Sequence, residues 1–109
     1  TYVYADNSIP RPYFKDLHTL SGLRITRHSP PIEGDEPTDH ATYHPGLWMA
    51  FGDINGADFW RNKATVRHNR FVEPPAVRGG VLSFAVENVY ESNAVVLCTE
   101  RCRYRLSAT

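Results

Sequence analysis

His40 and His44 lie four residues apart in a run, TDHATYHPGLWMAFGDINGADFW (38–60), that also holds Asp39, Trp48 and Trp60. The same run carries two acid-bearing segments, Gly52-Asp53-Ile54-Asn55-Gly56 and Ala57-Asp58. Histidine is the side chain that most readily exchanges a proton near neutral pH. Beside a carboxylate it can serve as a general acid or base. Tryptophan offers a flat apolar face, while asparagine and carboxylates take hydroxyl groups, so the run suits a polar ring such as a sugar. His40 or His44 would move the proton, and Asp39 would fix an imidazole tautomer. Trp48 or Trp60 would stack on the ring, with Arg11, Asp53, Asn55 and Asp58 holding its hydroxyls. The competing assignment makes Trp48, Met49 and Phe51 plain core, but a core segment has little use for two histidines and three carboxylates.

The i, i+4 spacing of the histidines would align both rings on one helical face, as in zinc proteases. His44 precedes Pro45, however, and the residue before proline is pushed out of the α region. Pro45-Gly46 then stops any helix, and no glutamate follows His40. A helical zinc motif is excluded on those grounds, and no metal ligands or cofactor are assigned. On a loop the rings can still converge, with His68 or Asp39 as a third donor, so a divalent-metal-dependent enzyme stands as an alternative. His18 and His28 read as surface histidines.

The elements that must hold these groups are β-strands. Leu82, Phe84 and Val86 alternate with Ser83, Ala85 and Glu87, and a turn at Glu91-Ser92-Asn93 leads into residues 95–106. There Thr99, Arg101, Arg103 and Arg105 make a wet face opposite Cys98, Cys102, Tyr104 and Leu106. Such period-two alternation predicts an antiparallel hairpin with one covered face. Further strands are expected at 2–4, 13–18, 24–28, 47–52 and 64–71. The Pro-Pro pairs at 30–31 and 74–75, the Gly34-Asp35-Glu36-Pro37 cluster and Gly79-Gly80 read as turns or loops. The fold expected is an all-β antiparallel sandwich of short strands and long loops.

Glu100 falls on the dry face of that hairpin, between the two cysteines. A buried carboxylate is costly unless partnered, which makes Glu100 a further acid–base candidate. A β-bulge or an inward ion pair with an arginine would explain it equally. Cys98 and Cys102 would stand about 13 Å apart on an extended strand, beyond the ~7 Å that a disulfide tolerates. Free buried thiols lean towards a reducing, cytoplasmic compartment.

One globular unit is the expectation for 109 residues with 41% hydrophobic content. A formal charge of zero and no basic run argue against a nucleic-acid partner. No apolar run approaches the ~18 residues of a membrane span. The chain begins with Thr and ends straight out of a strand pattern, so it reads as a partial domain, the N-terminal part (1–109) of a larger sandwich. A cut sandwich exposes strand edges, and self-association through the strand ending at Thr109 is expected.

The run Asp39-His40…His44-Pro45-Gly46-Leu47-Trp48 together with Gly52-Asp53-Ile54-Asn55-Gly56 and Asp58-Phe59-Trp60 resembles bacterial proteins catalogued as PmoA-like, or "methane oxygenase PmoA". Arg11-Pro12-Tyr13-Phe14, Ser21-Gly22-Leu23, Pro30-Pro31 and Val66-Arg67-His68 extend the likeness over nearly the whole chain. The resemblance implies no membrane oxygenase, since one Met and no apolar span are present. It implies a β-sandwich similar to those of sugar epimerases and glycan-processing enzymes. Two function classes follow: a carbohydrate-active epimerase, lyase or hydrolase using a His/carboxylate pair, and a non-catalytic glycan-binding or interaction module. Catalysis requires a histidine nitrogen and a carboxylate facing each other across a sugar-sized gap; binding does not.

Overall fold

The hairpin at the C-terminal end organises the molecule. The computed structural model describes residues 1–6, 9–40, 43–49, 51–61 and 63–108. Its strands are β1 (Tyr2–Val3), β2 (Tyr13–Phe14), β3 (Asp53–Ile54), β4 (Ala57–Asp58), β5 (Thr65–Arg78), β6 (Val81–Ser92) and β7 (Val95–Ser107). All pairings are antiparallel, in a three-stranded sheet of order β5-β6-β7 and two small ribbons, β1-β2 and β3-β4. The chain is therefore all-β, with no helix among the described residues. No described helix is long and apolar enough to cross a membrane.

Strand β6 is paired on both sides and is buried without a break from Phe84 to Tyr90. Strand β7 shows the alternation expected of it, exposed at 99, 101, 103 and 105 and half-buried at 98, 100, 102, 104 and 106. The hairpin turn lies later than expected. Glu91 and Ser92 pair with Val96 and Val95, and Asn93-Ala94 turn the chain with φ of 50° and 61°. Positive φ at both central residues is the geometry of a tight two-residue hairpin.

Pro74-Pro75 are a second correction, for they lie inside β5 and not in a turn. Glu73 opposes Ala85 and Ala76 opposes Ser83, so the two prolines occupy the space of one partner residue. Proline lacks the N–H a ladder requires and is confined to edges and bulges; β5 supplies both. The expected strands at 24–28 and 47–52 reduce to single bridges, His18 with Arg24 and Phe14 with Leu47. Ala50 and Thr109, which belonged to the expected strand 47–52 and to the expected self-associating end, lie outside the described residues.

The even face of the sheet is apolar and aromatic. Phe84 meets Tyr2 and Tyr104, each at 5.0 Å between ring centroids, and Tyr2 meets Phe14 at 5.2 Å, so the β1-β2 ribbon rests on the sheet. Further along, Phe59 packs edge-on to Tyr90 at 5.0 Å among Ala5, Ala64 and Val66. The odd face is an ion-pair ladder: Arg67 with Glu91, Arg70 and Arg101 with Glu87, and Arg103 with Glu73.

Glu87 is the centre of that ladder. It accepts hydrogen bonds from Asn69 (2.8 Å), Arg70 (3.2 Å) and Arg101 (3.0 Å). These donors hold its carboxyl down from 4.5 to about 2. A folded value below the unfolded one stabilises the protein above about pH 4.5, and that stabilisation is lost as pH falls towards 2. Glu36, held at about 2 by the amide of Ile32 and by His28, titrates in the same window. Thermal midpoints should therefore fall steadily between pH 4.5 and 2. Glu87→Gln should lower the midpoint at pH 7 and flatten part of that acid slope, and an unchanged slope would contradict the ladder's role.

Candidate functional site

The ribbon β1-β2 seats the loop that carries the histidines. Phe14 and Leu47 exchange backbone hydrogen bonds of 2.8 and 2.9 Å. Gly46 lies so close that a β-carbon there would stand 2.2 Å from the carbonyl oxygen of Phe14. Just before this, Pro45 is fully buried. His40 takes a left-handed conformation (φ 52°), and its carbonyl accepts from the amides of both Tyr43 and His44. Arg27 ties the strand of loop before the turn by donating to the carbonyls of Pro37, Asp39 and His40. The turn brings the two imidazoles together at 5.6 Å between centroids without a helix.

From there an aromatic chain continues. His44 lies 6.3 Å from Trp48, and Trp48 lies 5.9 Å from Trp60. Arg11 stacks its guanidinium 3.9 Å above the Trp48 ring. The same side chain donates to the carbonyls of Phe59 and Trp60, at 3.4 and 3.3 Å, which fixes the segment carrying the second indole. Burial lowers the pKa of this arginine from its ordinary value. Arg11, His40, Tyr43, His44, Trp48, Trp60 and Arg61 enclose a cleft of about 380 Å³. Five of these seven were expected at the site; Tyr43 and Arg61 were not. The signal for Tyr43 was its place in the run, between the histidines, and for Arg61 its place directly after the run, next to Trp60.

Asp39 stands at the outer edge, its carboxylate 3.2 Å from Nδ1 of His40. Asp58 is turned to local work: it accepts from the amides of Trp60 and Arg61 and pairs with the Arg61 guanidinium at 3.1 Å. The Arg61 amide, first among these donors, lowers its pKa. Asp53 caps the β3-β4 turn by accepting from the Gly56 amide at 2.9 Å. Asn55 and Gly56 form that turn with φ of 51° and 80°. Asp53, Asn55 and Asp58 thus shape a hairpin beside the cleft and do not line it. Asn-Gly is the strongest short-range hairpin signal a sequence carries.

His68 lies elsewhere. It sits on β5 opposite Asn88, stacked on Tyr4 at 4.5 Å and edge-on to Phe71 at 5.4 Å. It lines neither the cleft nor the cavity next to it.

Glu100 belongs to that second cavity, of about 320 Å³, between the sheet and the loop. Its carboxylate accepts from the amide of buried Asn88 (2.9 Å) and from the Tyr90 hydroxyl (3.1 Å). Neither a face-flipping bulge nor an arginine explains its position: the register from Tyr90↔Cys98 to Val81↔Ser107 runs unbroken, and both donors are neutral. Burial, with the nearby Glu100 charge, pushes the Tyr90 hydroxyl far up. Burial likewise raises Tyr2 to about 12 and raises Cys102 and Tyr104. Arg11 and Trp48 line both spaces and stand between Glu100 and the histidines.

Cys98 and Cys102 are free cysteines, as expected from their spacing. Among the described residues, no three His, Cys, Asp or Glu side chains come together as a metal-ligand set.

No curated protein and no solved structure matches the chain. The PmoA-like resemblance is overturned by the family model that does match, and with it goes the inference of a sandwich like that of sugar epimerases. That model carries the description "Family of unknown function (DUF6807)" and spans residues 1–109, and the chain belongs to this family.

Proposed function

We propose that the cleft between the histidine turn and the two tryptophans binds a sugar ring. The observation that carries this reading is the convergence of Trp48 and Trp60, 5.9 Å apart, with His40 and His44 around one space of about 380 Å³. That volume lies in the range of small-ligand sites, which combine aromatic walls with a few polar groups. Apolar C–H faces of a pyranose would lie on the indoles, and its oxygens would meet imidazole and guanidinium N–H groups.

Recognition is favoured over acid–base catalysis because no carboxylate is among the described residues lining the cleft. Glu100 faces the neighbouring cavity, across Arg11 and Trp48. A catalytic reading rests on one contact, Asp39 against His40 Nδ1, which would orient that ring as a base.

Calorimetric titration with a panel of methyl pyranosides tests the proposal. Saturable binding is expected, and Trp48→Ala should weaken it by about tenfold, the effect of losing about 1.4 kcal/mol of ring contact. Trp48→Phe, which keeps a platform, should retain most of the affinity. Equal affinity in wild type and Trp48→Ala would refute the platform. Product accumulating during the titration would move the assignment to catalysis.

A further inference from the structure

The polar groups around the cleft are mostly hydrogen-bond donors. Arg11, Arg61 and the indoles of Trp48 and Trp60 can only donate, each neutral imidazole of His40 and His44 offers one donor and one acceptor, and the Tyr43 hydroxyl does either. No described lining residue is a carboxylate, so donors outnumber acceptors. The two nearby acids are engaged at the rim, Asp39 on His40 and Asp58 on Arg61. A neutral sugar carries hydroxyls that both donate and accept, so its site needs acceptors as well as donors. A donor-rich wall fits a ligand that mostly accepts, and guanidinium groups bind carboxylate and phosphate with about twice the strength of neutral pairs.

We propose that the cleft selects a sugar bearing an anionic group, a uronate carboxylate or a phosphate monoester, with the ring on the tryptophans and the anion among Arg61, His40 and His44. This rests on the sugar-binding reading and adds the charge of the ligand to it. His40 and His44, their rings 5.6 Å apart, and the Asp58-anchored Arg61 belong to two separate segments that line one cleft, so an anion there would meet donors of both.

Calorimetry with methyl glucoside, glucuronate and glucose 6-phosphate, beside acetate and inorganic phosphate as bare anions, decides the matter. Binding of at least one acidic sugar about tenfold tighter than the neutral glycoside is expected, the gain of one charge-assisted contact. Arg61→Gln should bring that ratio close to one, and the tighter of the two acidic sugars identifies the anionic group. Equal affinity for neutral and acidic sugars overturns the anionic preference and leaves the sugar site standing. Bare anions binding as tightly as the acidic sugars overturns it as well, because the ring would then add nothing. Absence of binding by every sugar removes the underlying reading, and the inference with it.

Discussion

Replacing Phe84 by alanine is expected to remove about 3–5 kcal/mol of stability, the usual loss for a buried aromatic ring. Phe84 is 3% exposed and touches rings from four other strands: Tyr2 of β1, Phe14 of β2, Phe71 of β5 and Tyr104 of β7. Its removal leaves a cavity where the β1-β2 ribbon rests on the sheet, and the backbone of a paired central strand cannot collapse to fill it. Small domains hold only about 5–15 kcal/mol in total, so the variant should populate unfolded chains under mild conditions. Urea denaturation of wild type and variant measures the loss. Val77, 70% exposed on an edge strand, is the control, and its alanine variant should stay within about 0.5 kcal/mol of wild type. A loss below about 1 kcal/mol for Phe84→Ala would show that the aromatic cluster is not the core.

The second large effect is expected at Gly46, which has no side chain to lose. A methyl group there would sit 2.2 Å from the Phe14 carbonyl oxygen, a backbone atom that is itself bonded to the Leu47 amide. Neither partner is a flexible tip that can swing away. The Phe14–Leu47 bridge must open, with loss of two hydrogen bonds at about 1 kcal/mol each. Trp48 follows directly in the chain, so the indole would leave Arg11 and the cleft would lose its floor. Gly46→Ala should therefore abolish ligand binding while the β6-β7 hairpin keeps its strand signal in circular dichroism. Retained binding in Gly46→Ala would mean that the bridge does not position the site.

How far these features could be read beforehand depended on local pattern. Strand β7 was legible because its arginines fall strictly on odd positions while the opposite face stays apolar, a period only a strand produces. Strand β5 was legible only to Phe71. Pro74-Pro75 carry a turn signal, and what overrides it is tertiary: β5 is an edge strand, and a bulge opposite Ala85–Ser83 absorbs the extra residue. The expected strands at 24–28 and 47–52 have good β residues but pair through a single bridge each among the described residues, and Ile25 and Leu47 remain 65% and 61% exposed. At the site, the Pro45 argument spoke against a helix and left convergence of the rings on a loop open, and the imidazoles of His40 and His44 lie 5.6 Å apart. Glu100 and His68 could not be placed by such reasoning. Alternation puts Glu100 on a covered position, yet only the three-dimensional path of Arg11 and Trp48 parts it from the histidines, and only the packing of His68 on Tyr4 keeps that ring away from both cavities.

The chain holds two tryptophans, Trp48 and Trp60, and both line the proposed site. Their two indole N–H signals in a proton–nitrogen correlation spectrum therefore report on this cleft directly. Titration with neutral and acidic pyranosides should shift both signals along saturable curves that share one Kd. If both signals stay in place with every sugar up to about 10 mM, where even millimolar binding would register, the cleft is not a sugar site.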